Sequence, residues 1–377
     1  MKKLHQEQLF QLLRQSMGLT EQKDFVATDE DWQWLHEEAV RQSLTGVIYG
    51  AVAQLPASQQ PPMELLIQWI YEADVINGKN ELLNQESARL TRLFSEQGRK
   101  TAILKGQANA RLYPDKFLRE PGDIDIWVEG GSKSVIAMLQ EMGLLKELSK
   151  VSLDHKPIAM YHHVNLPVTK DHIIVEVHFR PSPGNFNPVT NKRLQRWLEQ
   201  EIKRTTSVTT DGGAFFVPSI CFALVMQLAH IQHHFLEEGL GMRHLCDYFL
   251  LLKNATEEDR QAVASVIRSF GLRHTAEALM WVLGEVLHLE EEKMYCKKDP
   301  YRGEWMLREM MAGGNFGHSA QRLKTDSDIV YFLRKHKRLL QMVPFAPSEM
   351  LFLELNCLKD LLIRIPERIR YRKLSLR

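Results

Sequence analysis

Three things are scarce in this 377-residue chain: cysteine, unbalanced charge and long apolar runs. The four cysteines, Cys221, Cys246, Cys296 and Cys357, are scattered without paired spacing. That points to free thiols in a reducing compartment rather than a disulfide framework. Lys and Arg number 48 against 47 Asp and Glu, a net charge of +1. No global field therefore draws the chain to nucleic acid or a membrane. A run of about 18 apolar residues, enough to span a bilayer, is absent. The opening "MKKLHQEQLFQLL" has basic residues but no long apolar segment behind them, so no signal peptide is expected. Together these absences predict a cytoplasmic protein without a transmembrane segment. Internal repeats and low-complexity tracts are also lacking.

What is present is a globular composition, 44% hydrophobic and 25% charged. The length predicts two or three packed units. Residues 1–98 read as helices. "DEDWQWLHEEAVRQSLTGVIYGAVAQL" starts acidic and places Trp32, Leu35, Ala39, Leu44 and Val47 at helical spacing. After "PP" at 61–62, a long helical segment runs to the glycine of "SEQG".

The character changes at Thr101. "TAILKG" suits a short buried strand, "QANARLY" a helix up to Pro114, and "DIDIWV" a second strand. "SKSVIAMLQEMG" reads as a helix, and "MYHHVNLPV" and "HIIVEVHFRP" as a hairpin around "TKD". Residues 99–186 thus predict an α+β core with a small mixed sheet. From Asn187 to the end the pattern is mainly helical, with two strong helices around "EGLG".

Period-two alternation puts Asp123, Asp125 and Trp127 on one face of their strand and Ile124, Ile126 and Val128 on the other. Two like charges held close together are costly unless a cation compensates them. A hard, oxygen-seeking ion such as Mg2+ answers that need. The later strand repeats the design: Ile173, Val175, Val177 and Phe179 share one face, while Glu176, His178 and Arg180 share the other. If the strands are neighbours, Asp123, Asp125 and Glu176 converge. Taken alone, a D-x-D on an amphipathic strand is usually a solvated face.

"LKGQANARLYPDKFLREPGDIDIWV" resembles the active-site region of the nucleotidyltransferase superfamily, the DNA polymerase β-like fold. It is most similar to the bacterial group often called uncharacterised nucleotidyltransferases. That group pairs "LKG" with a downstream R-x-x-D-x-D and a later acidic residue near a histidine. Here these are Leu104, Lys105, Gly106, Arg119, Asp123, Asp125, Glu176 and His178. "GLGMRHLCDY" and "GGNFG" also look like the group, more loosely. Two positions depart from the wider superfamily. Gln107 follows Gly106 where Gly-Ser or Gly-Gly is usual, and Glu176 stands where Asp is common.

The resemblance implies an α+β fold with helical regions flanking the core, and a nucleotidyltransferase using one or two Mg2+ ions. Asp123, Asp125 and Glu176 would be catalytic and hold metal. Lys105, Gly106, Gln107, Arg119 and His178 would bind nucleotide or phosphate, with backbone N–H groups after Gly106 facing the anion. The helical domain would close over the nucleotide through His230, His234 and Arg243. The partners implied are a nucleoside triphosphate, ATP included, and an unidentified acceptor. Near-neutral charge favours a small molecule or sugar over long nucleic acid. Three readings of the remaining features stay open. "HIQHHFLEEGLGMRHLCD" admits a zinc site at His230, His233 or His234, and Glu237, or a packed helix pair with an Arg243–Asp247 ion pair. Residues 359–377 carry seven basic and two acidic residues, a solvated end or a weak contact for an anionic partner. The whole chain admits a nucleotide-binding regulatory module without turnover, or a structural adaptor.

Overall fold

The structure is a computed structural model, and it describes residues 2–20, 24–145, 162–237, 239–314, 337 and 340–370. Four helices come first: α1 (Lys2–Ser16), α2 (Asp29–Arg41), α3 (Thr45–Val52) and α4 (Met63–Glu96). Thr28 starts α2 through a capping box. Its hydroxyl accepts from Asp31 N–H at 3.2 Å, and Asp31 accepts from Thr28 N–H at 2.8 Å. α4 buries Leu65, Trp69, Ala73, Ile76, Asn80 and Leu83, a stripe spaced three and four residues apart. It ends where Gly98 turns the chain at φ 69°.

The α+β core follows: β1 (Thr101–Ile103), α5 (Gln107–Ala110), β2 (Ile124–Val128), α6 (Gly131–Glu141), β3 (His163–Asn165) and β4 (Val175–His178). The sheet is mixed, in the order β1-β2-β4-β3. β2 runs antiparallel to β1 and parallel to β4, and β3 returns antiparallel to β4 as the expected hairpin. The helix expected over "QANARLY" is only four residues long.

The remaining elements are α7 (Pro188–Glu201), β5 (Thr205–Thr210), β6 (Gly213–Pro218), α8 (Ile220–Glu237), α9 (Met242–Asn254), α10 (Glu257–Ile267), α11 (Arg273–Leu287), α12 (Pro300–Gly313) and α13 (Pro347–Arg370). The hairpin β5–β6 is an addition to the mainly helical reading of this stretch. Its signal was legible: "TTSVTTDGGAFFV" sets β-branched and aromatic residues on either side of Asp-Gly. Phe215 and Val217 from β6 join the buried cluster of the sheet.

Strand alternation divides the interior in two. Ile124, Ile126, Val128, Val175 and Val177 pack with residues of α4 and α6 in one cluster. Ala102, Leu104 and Trp127, on the opposite face, belong to a larger cluster built from the helices at both ends of the chain. The sheet is covered on both sides, so Asp125 and Glu176 look towards α8 and α9 rather than into open solvent.

Cys221, Cys246 and Cys296 are free thiols. Among the described residues no helix is long and apolar enough to cross a membrane. Beyond Lys359 the basic C-terminal stretch is described only as helical backbone, from 360 to 370, so most of its charge lies outside the described residues, as does most of "GGNFG".

Candidate active site

The parallel pairing of β2 with β4 sets Asp125 beside Glu176 and Trp127 beside His178. The two strands therefore present their acidic residues in one row. Taken alone, strand alternation would leave such a row on a solvated face. The structure instead buries every residue of β2, and Asp125 is only 2% exposed. Asp123, just ahead of the strand, is half-buried.

Asp125 is held by two basic groups. Lys105 Nζ lies 3.2 Å from its Oδ1, and His178 Nε2 lies 3.0 Å from the same atom. His178 Nε2 is also 3.3 Å from Glu176 Oε2, so the imidazole bridges the two carboxylates. Burial works against ionisation of Asp125, but Lys105 and His178 overcome it and hold the carboxyl well below the usual range. For Asp123 the neighbouring Asp125 charge is the largest influence and burial adds to it, pushing the carboxyl up to about 6. Burial likewise opposes charge on His178, yet its bonds to Asp125 and Glu176 raise it to about 9.

These groups line a cavity of about 840 Å³ between the sheet and the helices. A volume of that size accommodates a nucleotide with room for an acceptor. His230, His234 and Arg243 line the same cavity, so the helical residues expected to close over a nucleotide do face the carboxylates. The rings of His230 and His234 are 4.2 Å apart, and those of His230 and His244 are 5.7 Å apart. Burial pushes His230 and His244 well below the ordinary histidine value, so both are neutral. Arg243 donates from Nη1 to the Glu120 carbonyl at 3.2 Å, and its buried Nε has no hydrogen-bond partner among the described residues. Gly106 adopts φ 54°, a conformation open to glycine, at the cavity edge.

Two expected phosphate ligands are placed otherwise. Gln107 is buried against α4, and its Nε2 donates to Asn84 Oδ1 at 2.9 Å, away from the cavity. Arg119 reaches the cavity wall, but its guanidinium is committed. Nε and Nη2 donate to the two carboxylate oxygens of Asp247 at 2.8 and 2.7 Å. The Arg243–Asp247 pairing expected from helical spacing gives way to this buried fork, and Tyr113 OH adds a third bond to Asp247 at 2.7 Å. A planar fork matches a carboxylate better than a neighbour one helical turn away. α5 is also too short for a strong dipole, and its Ala108 N–H is already bonded to the Lys105 carbonyl.

Several framing residues gave no sequence signal. Asn80 on α4 donates to the carbonyls of Phe117 and Arg119, holding the loop that leads to Asp123. Asn109 and Gln227 exchange amide hydrogen bonds of 3.0 and 2.9 Å, tying α5 to α8. His162 and His163 line the cavity as well, and only the strand pairing discloses it.

Among the described residues, two groups of three bring metal-ligating atoms within 4.8 Å of one another: Asp125, Glu176 and His178, and His162, His163 and His178. The zinc arrangement on α8 is not among them; His233 Nε2 pairs instead with Glu237 at 3.0 Å. The acidic row fits a hard divalent ion. The raised Asp123 carboxyl records repulsion that a cation would relieve.

The sequence profile described as "Uncharacterised nucleotidyltransferase" matches residues 28–288. The chain belongs to that family of nucleotidyltransferases. Among solved structures, it is similar to an antigenic nucleotidyltransferase-like protein from Paracoccidioides brasiliensis. The two are 13% identical, over 59% of this chain and 96% of that one, with a TM-score of 0.32. No curated protein sequence matches this chain.

Proposed function

We propose that this protein transfers a nucleoside monophosphate from a nucleoside triphosphate to an acceptor hydroxyl and releases pyrophosphate. One observation carries the reading: parallel strands set Asp125 against Glu176, with Asp123 just ahead, on the wall of a nucleotide-sized cavity. Asp123, Asp125 and Glu176 are the residues that would hold Mg2+, which supplies charge neutralisation at the phosphates and a more acidic acceptor hydroxyl.

The protein's own groups account for the rest. Lys105 and the unpartnered Nε of Arg243 offer positive charge to the triphosphate. Gly106 lets the phosphates approach the backbone without an intervening side chain. His178 spans Asp125 and Glu176 and fixes their separation. Glu176 takes the proton of the acceptor hydroxyl. The acceptor oxygen then bonds to the α-phosphorus as the bridging oxygen to the β-phosphorus leaves with pyrophosphate. His230 and His234 form the opposite wall. The near-zero net charge favours a small molecule or sugar as acceptor, because long nucleic acid is gripped through clustered phosphate contacts.

The test is pyrophosphate release from each of the four nucleoside triphosphates, with and without Mg2+, over a panel of sugar and small-molecule acceptors. Glu176→Gln should keep nucleotide affinity and lose about 10²–10⁴-fold in rate, the usual cost of a missing general base. Glu176→Asp should keep more activity than Glu176→Gln. Turnover by Glu176→Gln at the wild-type rate sinks the role of Glu176. Mg2+-dependent nucleotide binding without pyrophosphate release from any acceptor marks a regulatory module instead.

A further inference from the structure

The acidic row does not use all the ligating groups on its wall. His162 and His163 lie at the start of β3, directly across from the end of β4. Adjacent residues of a strand normally point to opposite faces. Here the pattern breaks, because the amides of Phe179 and Arg180 both donate to the His162 carbonyl, at 3.0 and 3.1 Å. That shared acceptor bends the chain at the sheet edge, and both imidazoles reach the cavity. Their ring centroids are 4.4 Å apart, and each lies just over 5 Å from that of His178.

The nitrogen and oxygen atoms form a connected set. His162 Nε2 is 2.9 Å from His163 Nδ1, and His163 Nδ1 is 3.5 Å from Glu176 Oε2. Glu176 Oε2 is 3.3 Å from His178 Nε2. Ligands bound at about 2.0–2.1 Å to one ion are separated by about 2.9–3.4 Å, close to each of these edges. Two ring nitrogens 2.9 Å apart must share a proton or face a common cation. The far nitrogen of His178, Nδ1, lies 3.3 Å from the Arg180 carbonyl, which leaves Nε2 directed at the site. A carbonyl on the distal nitrogen is the usual way a ligating imidazole is oriented.

We propose that His162, His163 and His178, together with the Glu176 carboxylate, bind a divalent first-row transition ion of the zinc, cobalt or copper class. Three imidazoles and one carboxylate suit such an ion and disfavour Mg2+, which seeks oxygen. The site shares Glu176 with the acidic row, so an ion there sits beside whatever occupies Asp123 and Asp125. The assignment does not rest on nucleotidyl transfer, since it is read from metal alone.

The experiment titrates the metal-free full chain with Co2+ and Zn2+, without nucleotide, by calorimetry and by the visible absorption of bound Co2+. One tight equivalent is expected, with Mg2+ in excess failing to displace it. His162→Ala/His163→Ala should weaken Co2+ binding at least tenfold and alter its spectrum, since even outer-sphere changes cost about 10–100-fold. Asp123→Asn should leave Co2+ affinity within twofold. Where the double variant fails to fold, pulsed electron paramagnetic resonance on the wild-type chain loaded with one equivalent of Cu2+ reads imidazole nitrogen couplings directly. The proposal is overturned by no binding of Co2+ or Zn2+, by unchanged affinity in the folded double variant, or by bound Cu2+ without imidazole nitrogen couplings. In each of those cases the histidines are a hydrogen-bonded cluster, and the transfer reading still stands or falls on pyrophosphate release.

Discussion

Asp123 and Asp125 are two residues apart, yet their surroundings act on them in opposite directions. Asp125 is a buried anion with Lys105 and His178 as its counter-charges. Asp123 is half-buried and feels mainly the repulsion of Asp125. Asp125→Asn should therefore destabilise the metal-free protein, near the lower end of the about 3–5 kcal/mol that removing one partner of a buried pair costs. Asp123→Asn should stabilise it, by on the order of 1–2 kcal/mol at neutral pH after allowing for partial solvent screening. The sign follows from linkage. The folded value of Asp123, about 6, lies above its ordinary 3.8, so its favourable contribution is complete below pH 4 and disappears as pH rises through 6. Urea unfolding of both variants in chelator, at pH 5 and pH 7, checks the prediction; a stabilised Asp125→Asn or a destabilised Asp123→Asn contradicts it. Reading the sequence alone treats the two carboxylates as equivalent, because strand periodicity reports a face and not the distant Lys105 and His178 that share it.

At the level of elements, the turn after β1 decides what can approach the cavity edge. Gly106 has φ 54°, and a side chain there would come within 3.5 Å of the Asp123 carbonyl. The contact is ordinary, so the penalty for a substitution is mostly backbone strain, of order 1–3 kcal/mol. Gly106→Val is expected to weaken nucleoside triphosphate binding more than Mg2+ binding, since the branched side chain intrudes on the phosphates while leaving the carboxylates in place. Calorimetry with each ligand separates the two; equal nucleotide affinity in both proteins would place the phosphates elsewhere. The strands and long helices around this turn were legible because their apolar spacing is regular. α5 was legible as a helix but not in its length, since four residues carry too little periodicity to mark an end. The β5–β6 hairpin carried a clear Asp-Gly signal, obscured by the helical stretches on either side.

On the scale of the whole molecule, the buried fork between Arg119 and Asp247 joins the loop before β2 to α9 across 128 positions of sequence. Burial opposes the charge on Asp247, but Arg119 wins and holds it at about 2. That value is below the ordinary 3.8, so the stability gained is complete above pH 4 and is lost as pH falls through 2. The shift corresponds to about 2 kcal/mol. Asp247→Asn should remove that acid dependence and also leave Arg119 buried without a full partner, costing about 3–5 kcal/mol at pH 7. Arg119→Met combined with Asp247→Leu should recover much of that loss, because two apolar groups leave no orphaned charge. Denaturant unfolding across pH 2–7 measures all three. If the double variant is no more stable than Asp247→Asn, the fork is not what joins these elements.

The sequence by itself determined the class of fold, the two amphipathic strands and the residues that can carry charge at the site. Alternation and helical spacing are local properties, and "LKG" with "REPGDID" is a compact pattern. Only the tertiary structure decided which of those residues face one another. The parallel register sets Asp125 against Glu176, and the bend at His162 brings two adjacent histidines to one wall. Gln107 turns to Asn84, and the Arg119 guanidinium, at the cavity wall, is committed to Asp247. These outcomes depend on partners well beyond one helical turn or strand in sequence, and a buried charge selects its partner by geometry in three dimensions, which spacing along the chain does not encode.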